Sequence, residues 1–200
     1  MASSTSRGNR ATTTSTRRDS HSTTTGQGGW STRRIAVSAL FVAAAMVLSF
    51  VEVPIFPAAP YLKYDPSGII VLVAGFAFGP ATGAVVGTLM WLPHFFGNPF
   101  GALMGVIANL AMVIPAAAIY RARPTRAGSL MGMGVGLVCF IVACILMNLV
   151  ITPLYAPGTS VSDVAQLIVP VLLPFNLLKG LINCAITQAV YKTVSKLVGD

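Results

Sequence analysis

The sequence predicts an all-α integral membrane protein with six transmembrane helices and both termini in the cytoplasm. Composition, the length of the apolar runs and the placement of charge all point there. Of 200 residues, 54% are hydrophobic and only 9% are charged, and the mean hydropathy is +0.77. Soluble domains carry roughly 25% charged residues, so this chain lacks the polar surface to cover itself in water. Its apolar residues gather in runs that approach the ~20 residues needed to cross a bilayer.

The elements follow in order from apolar runs and their breakers. Residues 1–32 are rich in Ser, Thr, Arg and Gly and carry almost nothing apolar, which predicts a disordered cytoplasmic tail ahead of a membrane domain over residues 33–200. A first span is expected over Ile35–Val53. Pro54, Pro57 and Pro60 then punctuate an outer loop ending at Lys63-Tyr64-Asp65-Pro66. A short second span, Ser67–Phe78, turns at Gly79-Pro80 and has to tilt or lean on its neighbours. The third is expected over Ala81–Phe96, the fourth over Leu103–Tyr120 and the fifth over Ser129–Thr152. A connection containing Pro157, Asp163, Pro170 and Pro174 leads to a sixth span, Phe175–Val194.

Charge bias tests this count. Arg7, Arg10, Arg17, Arg18, Arg33, Arg34, Arg121, Arg123, Arg126, Lys192 and Lys196 all fall on flanks that six spans place inside, as expected where cytoplasmic loops are enriched in Lys and Arg. Lys63 and Lys179 are the exceptions. The net charge of +8 therefore reports membrane orientation, and no basic patch for nucleic acid emerges. Arg33-Arg34 resembles a twin-arginine signal, but the apolar run and the spans beyond it favour an ordinary first helix. Cys139, Cys144 and Cys184 lie inside apolar runs without metal-ligand spacing.

Lys179 is the most informative residue. An amine within a span costs ~2.5–3.5 kcal/mol on insertion scales, so it faces a cavity or partner, or else snorkels to the interface. Asn176, Lys179 and Asn183 share one helical face. Asn148 and Asn109 add amides at comparable depth, and unpaired amides in hydrocarbon cost several kcal/mol. These groups either line a polar pocket near the outer face or hydrogen-bond between helices. Asp65 is a second candidate, as a cap for the second helix or an ion partner for Lys63 or Lys179. Small residues recur at Ala39/Ala43 and Gly83/Gly87, a spacing that permits close helix approach. His94 stands alone near the end of the third span.

No Walker A motif, zincin motif, nucleophile elbow or carboxylate cluster is present, and five acids in 200 residues leave little for acid–base chemistry. An enzyme is not expected, nor a metal or bound cofactor.

Tyr61-Leu62-Lys63-Tyr64-Asp65, the Ala-Gly-Phe-Ala-Phe-Gly-Pro run at 74–80, Asn148 with Pro153-Leu154-Tyr155, and Pro174-Phe175-Asn176-Leu177-Leu178-Lys179-Gly180 together resemble the riboflavin-specific substrate-binding (S) component of energy-coupling factor (ECF) transporters, the RibU family. The resemblance covers about residues 33–197. It implies a multi-pass protein of the cell membrane that captures riboflavin from outside. Delivery would follow docking onto a transmembrane (T) subunit carrying two ATPase subunits. It further implies that Asn148, Asn176 and Lys179 contact the flavin, that the first outer loop with Tyr61, Leu62 and Asp65 closes over it, and that Ala39 and Ala43 dock on the T subunit. Tyr155, with Phe56 and Phe175, is available as an apolar wall, while the Gly105–Asn109 stretch is less polar than the family leads one to expect. An S component for thiamin or biotin, or a membrane scaffold in which the asparagines only pack helices, are the alternatives.

Overall fold

The computed structural model describes residues 30–55 and 62–199, with the side chains of Lys192 and residues 194–199 excepted. The expected tail, Phe56 and Tyr61 lie outside the described residues. Six principal helices make up the bundle: α1 (Thr32–Ser49), α2 (Ser67–Phe78), α3 (Pro80–Leu89), α4 (Pro99–Ala122), α5 (Arg126–Tyr155) and α7 (Leu173–Gly199), with a short α6 (Val161–Leu167) leading into the last. Thr32–Ser49, Pro99–Ala122, Arg126–Tyr155 and the continuous Val161–Tyr191 stretch are each long and apolar enough to cross a bilayer.

Helix α2 solves its shortness by burial. Its 12 residues rise only about 18 Å against a hydrocarbon core of about 30 Å. Ser67, Gly68, Ile69 and the whole run Val71–Phe76 are buried, packed among α1, α3, α4 and α7. A sequence apolar on every side is what a fully surrounded helix requires. Gly79, at φ 91°, makes the turn into α3, a left-handed conformation that side chains with a Cβ rarely adopt.

Several element boundaries differ from expectation, among them the end of the first helix, at Ser49 rather than Val53. The α-helical part of the third span stops at Leu89, and Leu92–Phe96 forms a 3₁₀ turn, because Pro93 lacks the N–H that would bond back to Leu89. The connection ahead of the sixth span shrinks to Ala156–Ser160. Ser160 and Asp163 form a reciprocal capping box that starts α6, and Ile168–Leu172 is a wide π turn. A π turn accommodates the Pro170 ring without ending the helix, so α6 and α7 run on as one. Pro153 likewise stays inside α5.

Close backbone approach sets the α4–α5 pair. A Cβ on Gly132 would lie 2.5 Å from the Ala116 carbonyl oxygen, and one on Gly136 would lie 2.6 Å from that of Met112. Gly83 and Gly87 pack internally, the first against Gly75 and Val113, the second against Val71 and Asn109. Ala39 and Ala43 instead face outward from α1.

The two ends of the bundle carry opposite chemistry. At one, Arg34 donates to the Phe78 carbonyl at 2.8 Å and to Thr82 at 2.7 Å, beside Arg121 near Gly79. At the other, Ser49 bonds His94 at 2.7 Å, and Phe50 stacks on the same ring at 4.6 Å. The described carboxylates Glu52, Asp65 and Asp163 all belong to segments at that second end.

Candidate substrate site

The candidate site is built where the first loop meets the start of α2 and the early turns of α7. Val53 and Tyr64 form an isolated antiparallel bridge, each amide donating to the other's carbonyl at 2.8 Å. That bridge draws the loop closed and sets Tyr64 and Asp65 above α7. The Tyr64 hydroxyl donates to Asn183 Oδ1 at 3.1 Å. Burial, and secondarily the Asp65 carboxylate beside it, pushes the Tyr64 phenol above its ordinary pKa, which keeps it a donor.

Asp65 serves two of the roles its sequence allowed. Its Oδ1 accepts from the Ser67 backbone N–H at 3.3 Å and from the Ser67 hydroxyl, so it holds the first turn of α2. Its Oδ2 accepts from Lys179 Nζ at 2.7 Å, with the side chains only 9% and 19% exposed. Lys179 is therefore a paired, largely buried cation rather than a snorkelling one. Two ions taken from water are tolerated only with good geometry and further hydrogen bonds, and Ser67 supplies these to the carboxylate. Lys63 turns away to Glu52 at 2.6 Å on the exposed side of the loop.

The amides behave less uniformly. Asn176, buried, donates to the Leu172 carbonyl at 2.7 Å, and Asn148 donates to the Cys144 carbonyl at 2.8 Å while accepting from Thr152 at 3.3 Å. Each thus spends one N–H on its own helix, leaving a second N–H, and in Asn176 the amide oxygen, for another partner. Gly180, beside Lys179, lies against Leu137 and Phe140 of α5, so α5 and α7 run side by side at this turn. Asn109 points instead toward Met90, with Nδ2 at 3.5 Å from the sulfur, and is not joined to the other amides. Leu62 is half-buried and Phe175 buried. Tyr155 is exposed and stacks on Phe100 at 5.6 Å.

Asn183 and Tyr64 carry more of the site than the sequence alone disclosed. Asn183 sits on the Asn176–Lys179 face, a visible signal, but its contact with Tyr64 spans 119 positions. The Ser49–His94 bond spans 45 and left no trace in local pattern. Among the described residues no group of His, Cys, Asp and Glu could hold a metal.

The family described as ECF transporter, substrate-specific component, matches residues 33–191. The riboflavin transporter RibU of Staphylococcus aureus is 29% identical over 174 residues, covering 83% of this chain and 92% of that protein. The riboflavin transporter FmnP of Bacillus subtilis is 24% identical over 172 residues, covering 80% and 90%. A solved structure of the S component of a bacterial ECF transporter superposes with a TM-score of 0.71 at 26% identity, covering 84% of this chain and 98% of that one.

Proposed function

From the premise that this chain belongs to the substrate-specific component family of ECF transporters, we propose that it is the riboflavin-binding subunit of a vitamin uptake system. The observation that carries the reading is the buried Asp65–Lys179 pair beneath the first loop, flanked on α7 by Asn176 and Asn183. The relatives named for riboflavin transport, matched over most of their length, supply the substrate.

The residues account for flavin recognition in physical terms. The pyrimidine edge of a flavin alternates acceptors with a donor, which an asparagine amide complements with its own oxygen and N–H groups. Lys179 has three donors and spends one on Asp65, so two remain for a flavin carbonyl or a ribityl hydroxyl. Pairing with Asp65 also lets the amine stay charged at depth. Asn148 and Asn176 face this region from α5 and α7. Leu62 and Phe175 supply apolar cover.

Orientation follows from the segregation of charge. The arginine-bearing end belongs inside the cell, together with both termini, and the Asp65–Lys179 end outside. Riboflavin is then captured from the exterior. Energy comes from a transmembrane T subunit and two ATPase subunits, with the exposed Ala39–Ala43 face of α1 as the docking surface. Toppling of the subunit in the bilayer presents the ligand inward. The membrane domain over residues 33–200 does this work.

The purified protein tests this directly. It should emerge yellow, or quench riboflavin fluorescence on titration in detergent, with thiamin and biotin inert. A colourless preparation that leaves riboflavin fluorescence unchanged rejects the assignment.

A further inference from the structure

We propose that the cavity at the arginine-bearing end of the bundle is a headgroup site for an anionic phospholipid. The cavity measures about 370 Å³ and is walled by Phe76, Gly79, Tyr120, Arg121 and Pro124. Its volume falls within the ≈ 300–1,000 Å³ range of small-molecule sites. It lies at the opposite end from the Asp65–Lys179 pair and plays no part in the substrate site.

Its chemistry is that of an amphiphile. Phe76 and Tyr120 stack at 4.8 Å, and Tyr191 meets both rings edge-on from beneath, at 5.4 and 5.5 Å. The Phe76 and Tyr120 rings make the cavity's aromatic floor, braced by Tyr191. Arg121 stands at the rim, close enough to Gly79 that a Cβ there would lie 3.6 Å from its Nη1. Arg121 is exposed, as are Arg123 on the following loop and Arg126 at the start of α5. The described carboxylates are engaged elsewhere: Glu52 with Lys63, Asp65 with Lys179, and Asp163 with Ser160. A guanidinium with no carboxylate partner among the described residues, above an aromatic floor and at the level where apolar helices end, fits a phosphate ester with glycerol and the first acyl carbons over the rings. Basic pockets between membrane helices recognise anionic headgroups in this way, and aromatic side chains favour the same depth. A free phosphate ion would use the arginine and leave the floor unsatisfied, which favours the lipid.

The alternative for Arg121 is to complement the C-terminal dipole of α4, whose last turn it occupies. Native mass spectrometry of the detergent-purified chain separates these roles, using phosphatidylglycerol and phosphatidylcholine at equal concentration. Phosphatidylglycerol should be retained preferentially, and Arg121→Gln should lower its retention about fivefold, more than Arg123→Gln or Arg126→Gln. Ala77→Leu, which narrows the cavity without changing charge, should lower it as well. Size-exclusion profiles and unfolding temperatures are compared for every variant, so that a misfolded chain is not scored. Equal retention of the two lipids, an unaltered Arg121→Gln, or equal losses from all three arginines would overturn the proposal. Displacement of phosphatidylglycerol by millimolar inorganic phosphate would overturn the lipid as the occupant.

Discussion

Replacing Lys179 by Met, alone and together with Asp65→Asn, separates what the ion pair does for the fold from what the amine does for the ligand. The pair is 2.7 Å long and mostly shielded from water. Removing one member of a buried pair costs ~3–5 kcal/mol because the other is left uncompensated. Here Asp65 keeps its Ser67 bonds and Lys179 is partly solvated, so Lys179→Met should cost about 2 kcal/mol, below that range. In the double variant no charge is stranded, and stability should return to within about 1 kcal/mol of the parent. Binding should not return. One lost polar contact weakens riboflavin by ~1–3 kcal/mol, about 5- to 150-fold in Kd, in both variants. Unfolding in detergent reports the first quantity and riboflavin fluorescence quenching the second. A double variant that recovers both would refute the reasoning, because Lys179 would then matter only as the partner of Asp65.

Further outcomes follow from other contacts. Ala39→Trp or Ala43→Trp should abolish riboflavin uptake by cells while leaving the Kd of the purified chain unchanged; loss of binding would place those alanines inside the fold. Gly132→Ala or Gly136→Ala should destabilise the bundle by ~1–3 kcal/mol, since the new methyl meets a carbonyl oxygen of α4, and thermal unfolding reads this. The raised Tyr64 pKa means its hydrogen bond to Asn183 contributes fully below the ordinary value of 10.0 and is lost as pH rises through the folded-state value. Parent and Tyr64→Phe should therefore differ in stability at pH 8 and converge in strongly alkaline solution. A constant difference would show that the hydroxyl contributes nothing there.

The membrane class, the helix count and a largely buried Lys179 were legible because they rest on local quantities: run length, charge placement and one amine out of place. Boundaries were less so where proline was the guide. Pro93 did end an α-helix, whereas Pro153 and Pro170 did not, since α5 continues to Tyr155 and a π turn carries the chain past Pro170. Whether a proline ends a helix depends on what else satisfies the freed carbonyl, and that partner is not in the local sequence. The site shows the same division. Asn176, Lys179 and Asn183 announce a common face by spacing alone. That Asp65 both holds α2 and pairs with Lys179 needed the fold, because 114 positions separate the partners. Asn148 and Asn176 met carbonyls of their own helices, a local solution that spacing between helices does not suggest.

The two small-residue pairs carry the argument one step further. Gly83/Gly87 and Ala39/Ala43 share the same spacing, yet the first is closed by Val71, Asn109 and Gly75 and the second is uncovered. Exposure alone fits contact with lipid, as Leu40 and Val47 on the same helix illustrate. What distinguishes the alanines is size, because a lipid chain gains nothing from a shallow surface whereas a second helix gains close backbone approach. Helix α1 is also fixed at both ends, by Arg34 on Phe78 and Thr82 and by Ser49 and Phe50 on His94. Its uncovered middle is therefore held in place before any partner arrives, and docking there need not spend binding energy on ordering the helix. In the proposed docking role, such a surface lets an energising partner engage and leave without reordering α1.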